Sequence, residues 1–152
     1  MEVARVLCAV LMAGAFALAG CSGGGGGYAP SGPGSCLFSG VTQLVYPIPG
    51  STSVPDAFGQ VVFATSQLFS YSYDVLINTD PNPNHAASGT AAFFQRIDPS
   101  QVPSPSATPT ISNPYYESAS FSGSFPHATY YLFFNDSAVP CTAVSAGSFT
   151  TQ

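Results

Sequence analysis

The stretch Phe69-Ser70-Tyr71-Ser72-Tyr73-Asp74-Val75-Leu76-Ile77-Asn78 alternates apolar and polar side chains over ten positions, and only Leu76 breaks the pattern. Successive side chains of a β-strand point to opposite faces, so Phe69, Tyr71, Tyr73, Val75 and Ile77 would share one face. The stretch therefore predicts a strand with one buried face.

Six further short segments predict strands and are separated by proline, glycine, serine and asparagine. They are residues 41–46, 60–65, 90–97, 118–121, 129–135 and 146–151. Residues 98–113 carry four prolines, which exclude a central strand because proline has no backbone N–H. A loop of that length is either functional or loosely ordered. The segment Asp80-Pro81-Asn82-Pro83-Asn84 predicts a turn. Together these patterns indicate an all-β fold with two packed antiparallel sheets.

Three segments, in this order along the chain, resemble bacterial immunoglobulin-like and fibronectin type III domains. Tyr46-Pro47-Ile48-Pro49-Gly50-Ser51-Thr52-Ser53-Val54-Pro55 is similar to their opening Y-P-x-x-G-A-T-x-V-P, and Phe125-Pro126-His127-Ala128-Thr129-Tyr130 to the L-P-x-G-T-Y before strand F. Ala146-Gly147-Ser148-Phe149-Thr150-Thr151 resembles the last strand, S-F-T-T. The resemblance implies a single immunoglobulin-like antiparallel β-sandwich of about seven strands over residues 36–152.

The same resemblance implies roles for individual side chains. Tyr130 would be a tyrosine corner, with its ring inside and its hydroxyl bonded to upstream backbone. Leu132 and Phe134 would share its inward face, while Tyr131 and Phe133 point outward. The chain has no tryptophan, so we expect Tyr71 or Tyr73 to fill the space of the family's core tryptophan.

The N-terminal segment ends in Leu18-Ala19-Gly20-Cys21, which resembles the lipobox of bacterial lipoproteins. The resemblance implies cleavage between Gly20 and Cys21 and acylation of Cys21, with residues 1–20 a signal peptide. Its apolar run is shorter than a bilayer-spanning helix needs; a permanent transmembrane helix and an unlipidated secretory signal are the alternatives. Residues 21–35 predict a glycine-, proline- and serine-rich linker. Serine after Cys21, rather than aspartate, favours the outer membrane.

Two cysteines remain when Cys8 leaves with the signal and Cys21 is acylated. An even pair in an exported protein predicts a disulfide between Cys36 and Cys141. The alternatives are two free thiols, or a zinc site with His85 and His127.

Charge excludes some partners. The chain has two basic and seven acidic residues, no lysine, and a net charge of −5. Arg96 is the only basic residue after the predicted cleavage, so neither nucleic acid nor a polybasic contact with a membrane is expected.

No catalytic residue, metal site or cofactor is predicted. His85 and His127 lie in turn-like sequence, the carboxylates are scattered, and no G-x-S-x-G motif occurs. Asp80-x-Asn82-x-Asn84 matches the start of a calcium loop but lacks its glycine and its closing glutamate.

Pairs of adjacent aromatic residues give the strongest indication of function in this sequence. Neighbours on a strand face opposite sides, so one of each pair must leave the main core. Tyr131 and Phe133 beside Phe93 would form an exposed contact surface; the alternative is that the proline-rich loop covers it.

These features predict a lipid-anchored, extracytoplasmic protein of the bacterial cell envelope. Its immunoglobulin-like module would have a non-catalytic role in binding, adhesion or structure, with an envelope protein or a glycan as partner. The alternative is a small envelope enzyme or a carbohydrate-binding accessory protein, and the absence of tryptophan weakens a sugar-binding role.

Overall fold

The computed structural model describes residues 34–152, apart from Leu37 and Ser39. Seven strands form one all-β domain: β1 (Thr42–Tyr46), β2 (Gln60–Thr65), β3 (Tyr73–Asn78), β4 (Thr90–Ile97), β5 (Tyr115–Ser120), β6 (Thr129–Asp136) and β7 (Val144–Thr150). Two short 3₁₀ helices, Pro83–Ser88 and Pro99–Gln101, lie in the loops on either side of β4. The predicted signal peptide, Cys21 and nearly all of the linker lie outside the described residues.

All strand pairs are antiparallel, in the order β1-β2-β5-β4-β3-β6-β7. Strand β4 changes partner along its length: Phe93 lies opposite Asp74 of β3, whereas Phe94 lies opposite Ala119 of β5. One group of strands (β1, β2, β5) therefore continues through β4 into the other (β3, β6, β7). This order corresponds to the ABED and CFG sheets of immunoglobulin constant-type sandwiches.

The main core lies between these two groups. Phe63 of β2 and Phe134 of β6 are not on hydrogen-bonded strands, yet their ring centroids are 5.1 Å apart. Phe69 stacks on Phe94 at 4.2 Å between them. These contacts make the domain a β-sandwich whose two inner faces interdigitate. Further core side chains from β1, β2, β3, β6 and β7 are Leu44, Val61, Val75, Ile77, Leu132 and Phe149.

The chain after β1 crosses to β7 and closes that side of the sandwich. The Gly50 N–H donates to the Ser148 carbonyl oxygen at 2.8 Å, and the Val54 N–H donates to that of Thr150 at 3.1 Å. Gly147 of β7 has a φ of 137°, and a Cβ there would stand 3.0 Å from Leu44. These bonds occupy backbone groups that an unprotected edge strand would leave open to another chain.

The proline-rich loop packs on the outer face of β1 and β2. Val102 and Ile111 of the loop contact a cluster formed by Val45, Val62 and Ala64. The Ala107 N–H also donates to the Val45 carbonyl oxygen at 2.8 Å. The loop is therefore a packed layer that protects the free edge of β1.

Strands β2 and β4 have the predicted bounds, whereas β3 is shorter than predicted. Residues before Tyr73 form a turn, in which the Tyr73 N–H donates to the Ser70 carbonyl oxygen at 3.0 Å and the Ser72 N–H to Ser70 Oγ at 3.2 Å. Serine side chains that bond nearby backbone compete in this way with strand pairing. The turn leaves Tyr71 fully exposed, so the prediction that Tyr71 packs inside is wrong.

Phe69, rather than Tyr71 or Tyr73, is the aromatic side chain of this segment that packs against the main core. Its ring contacts Phe94 and also lies 5.3 Å from Phe134. Tyr73 is only half-buried and stands at the side of this cluster, 6.0 Å from Phe69.

Strand β5 also differs from the prediction, since it begins three residues earlier, at Tyr115.

Candidate functional site

Tyr130 forms the predicted tyrosine corner. Its ring is buried between Phe125, at 5.4 Å, and Phe149, at 6.1 Å. Its hydroxyl donates to the carbonyl oxygen of Pro126 at 3.0 Å. Burial raises the pKa of Tyr130, and the hydrogen bond fixes the loop before β6 to the strand itself.

Cys36 and Cys141 form the predicted disulfide, with their Cα atoms 5.0 Å apart. The bond joins the start of the described chain to the loop between β6 and β7. The backbone supports it: the Cys36 N–H donates to the Thr142 carbonyl oxygen at 2.9 Å, and the Thr142 N–H to that of Gly34 at 2.8 Å. Because both sulfurs are bonded to each other, two free thiols and a zinc site through these cysteines are excluded.

The predicted contact surface of Tyr131, Phe133 and Phe93 is not formed. Phe133 faces away from the main core, as predicted, but only 1% of it is exposed. Leu76, Ala86 and Ala143 enclose it, with Tyr131 half-buried beside them. The covering segment is the 3₁₀ helix Pro83–Ser88 rather than the proline-rich loop. Phe93 alone remains 61% exposed.

The two histidines lie in turns and bond their own surroundings. His85 Nδ1 stands 2.6 Å from Asp80 Oδ2, and both side chains are exposed. The other Asp80 oxygen accepts the Asn82 N–H at 2.9 Å. The hydrogen bonds from His85 and Asn82 lower the pKa of the Asp80 carboxyl. His127 Nδ1 lies 2.6 Å from the Thr151 carbonyl oxygen. Asp80, which begins the calcium-loop match, thus has both oxygens engaged within its own turn.

Two carboxylates are buried, which the sequence pattern did not reveal. Asp74 of β3 accepts a hydrogen bond from the Asn135 side chain, while its Oδ1 has no partner among the described residues. Burial, and to a smaller extent the charge of Asp136, raises the pKa of Asp74. Glu117 Oε2 accepts the Phe69 N–H at 2.8 Å, and burial raises its pKa despite the nearby charge of Arg96. In the sequence, burial of these carboxylates is indicated only by their positions, because Asp74 falls within a predicted strand and Glu117 within the observed strand β5.

A cavity of about 380 Å³ lies between the 3₁₀ helix Pro83–Ser88 and the loop before β7. Its lining includes Leu76, Ala86 and Ala143, with the amides of Asn84 and Asn135. No ionisable side chain lines it. No group of three or more histidine, cysteine, aspartate or glutamate residues is placed to hold a metal in residues 34–152 as described.

Exposed apolar side chains gather at one end of the sandwich, which we call the disulfide end because Cys36–Cys141 lies there. Val41 precedes β1, Leu68 and Tyr71 lie between β2 and β3, and Val139 lies between β6 and β7; all four are exposed. Tyr115, at the start of β5, is also exposed and has the Arg96 guanidinium 5.0 Å from its ring centroid. Sequence analysis missed this surface because it assigned Tyr71 to a buried strand face.

Hydrogen bonds hold these loops together. The Val41 N–H donates to Ser66 Oγ, and the Ser66 N–H returns a bond to the Val41 carbonyl oxygen, both at 2.9 Å. The Ser137 N–H and hydroxyl both donate to the Ser72 carbonyl oxygen, at 2.9 and 2.8 Å. The start of β1, the β2–β3 loop and the β6–β7 loop therefore form one connected surface.

Compared with known proteins, the chain matches no family model, no curated protein sequence and no solved structure. Among the residues that the structure describes, none belongs to a helix with the length and apolar character to cross a membrane.

Proposed function

We propose that this protein is a lipid-anchored component of the bacterial cell envelope that displays a non-catalytic, immunoglobulin-like module. The observation that carries the proposal is the disulfide between Cys36 and Cys141. Disulfides persist in oxidising compartments and are rare in the cytosol. An exported protein whose leader ends in Leu18-Ala19-Gly20-Cys21 fits acylation at Cys21, with the outer membrane favoured.

The chemistry of the domain supports a binding, adhesion or structural role. Nδ1 of His85 contacts the Asp80 carboxylate and Nδ1 of His127 contacts the Thr151 carbonyl oxygen, so both rings bond within the turns that carry them. The two buried carboxylates bond different partners: Asp74 accepts from the Asn135 amide, while Glu117 accepts from the backbone N–H of Phe69. These contacts position strands and turns.

The mass of the protein extracted from bacterial membranes tests the proposal. We expect a chain that begins at Cys21, carries fatty acyl groups and has no free thiol. Radiolabelled palmitate should enter the wild type and be absent from Cys21→Ser. An uncut leader, or a chain without acyl groups, would refute the anchor.

A further inference from the structure

We infer that the disulfide end of the sandwich faces the membrane and that its apolar side chains rest on the lipid surface. This orientation relies on the proposed function, because it requires acylation of Cys21. It adds the direction in which the module is displayed: the opposite end, with the β3–β4 and β5–β6 loops, would face away from the lipid.

The first argument is where the chain enters the domain. Gly34 and Cys36 bond to Thr142 and Cys141 at the disulfide end. Thirteen positions separate Cys21 from Gly34. A chain of that length reaches at most about 45 Å. The anchor therefore holds this end closer to the lipid than the other.

The second argument is the chemistry of that end. Val41, Leu68, Tyr71 and Val139 are exposed there. Tyrosine and medium-sized apolar side chains suit the boundary between headgroups and acyl chains. Tyr115 is exposed at the same end, and of the large apolar residues exposed in the described domain only Ile48 and Phe93 lie elsewhere, so the concentration is specific to the end that the tether reaches.

The charged side chains at the disulfide end indicate which lipid headgroups this end contacts. Arg96 is the only lysine or arginine in the described residues, and its guanidinium lies 5.0 Å from the ring centroid of Tyr115. Asp98 follows β4 and Asp136 ends β6 at the same end. Two carboxylates against one guanidinium disfavour an anionic surface, so we expect contact with lipids of neutral headgroups.

A few apolar side chains bind a membrane weakly on their own. The tether changes this, because a short flexible linker gives an effective concentration on the order of millimolar. The contact is therefore expected in the anchored protein, where it needs little affinity to be occupied most of the time.

A single tryptophan tests the orientation. The chain has none, so Tyr71→Trp and the control Phe93→Trp each introduce one fluorophore at an exposed position. The acylated full-length product is reconstituted in phosphatidylcholine vesicles with brominated acyl chains. We expect quenching of Y71W to be at least twofold greater than that of F93W. Equal quenching in chains that float with the vesicles would overturn the orientation.

A second variant distinguishes contact between the apolar side chains and the lipid from simple proximity of this end to the membrane. Leu68→Ser with Val139→Ser, added to Y71W, removes apolar surface from exposed positions and should halve the excess quenching. Unchanged quenching would overturn the apolar contact. Chains that neither float nor carry acyl groups would instead refute the anchor, and the orientation with it, so the two failures have different readouts.

Discussion

Phe133 of β6 and Phe93 of β4 both point away from the main core, yet Phe133 is 1% exposed and Phe93 is 61% exposed. The difference comes from the segments that return over the sheet. Ala86 of the 3₁₀ helix and Ala143 before β7 cover Phe133, whereas no part of residues 34–152 that the structure describes covers Phe93 in this way.

Truncating these two phenylalanines should therefore have unequal effects. Phe133→Ala opens a cavity under the helix and should destabilise the domain by about 3–5 kcal/mol. Phe93→Ala should change stability by less than about 0.5 kcal/mol, as exposed substitutions usually do. Urea unfolding followed by tyrosine fluorescence measures both. Similar small losses would mean that the outer face of β6 is open.

Removing only the hydroxyl oxygen of Tyr130 should lower the stability of the domain. Tyr130→Phe removes the hydrogen bond to the Pro126 carbonyl oxygen and should cost about 0.5–1.5 kcal/mol. We expect a value near the lower limit, because the Thr151 hydroxyl also donates to that oxygen, at 2.8 Å. Tyr131→Phe is the matched control, since its hydroxyl has no such bond among the described residues. Equal melting temperatures for the two variants would contradict this role.

Reduction of the disulfide should weaken the whole domain. Cys36 and Cys141 are 105 positions apart, and loss of a native disulfide from a small exported domain typically costs about 2–5 kcal/mol. Urea unfolding with and without a reductant measures the change. The double variant Cys36→Ser, Cys141→Ser should behave like the reduced wild type and should not respond to the reductant. A wild type that is indifferent to reduction would be inconsistent with the bond.

Buried Asp74 predicts a dependence of stability on pH. Its pKa is raised above the ordinary value of 3.8 in the folded state, so the folded protein binds the proton more tightly than the unfolded chain. The contribution of Asp74 is greatest below that value and is lost as the pH rises through the folded pKa.

Asp74→Asn isolates this contribution. The variant should be more stable than the wild type at pH 7, and the difference should shrink as the pH falls through the folded pKa of Asp74 towards the ordinary value of 3.8. Asp136→Asn should have a smaller effect in the same direction, because burial is the main cause of the shift. The stability difference comes from urea unfolding at several pH values. A difference between Asp74→Asn and wild type that stays constant with pH would exclude Asp74 as the titrating group.

Local sequence determined the strands of this protein. Alternation placed β4 at its observed bounds, because the two faces of this strand differ in burial and the period of two is written into neighbouring residues. The sequence also placed β2 at its observed bounds, although both faces of that strand are buried. The cysteine count and the predicted export predicted the disulfide, and the resemblance predicted the hydrogen bond of Tyr130.

The tertiary structure alone decided what covers each outward face. Phe133 and Phe93 have the same local pattern, and only the return of residues distant in sequence buries one and exposes the other. Asp74 is buried for the same reason, since Asn135 reaches it from β6. Tyr71 is exposed because a serine turn ends the alternation before the strand begins. Such outcomes depend on contacts between distant segments, which the order of neighbouring residues does not encode.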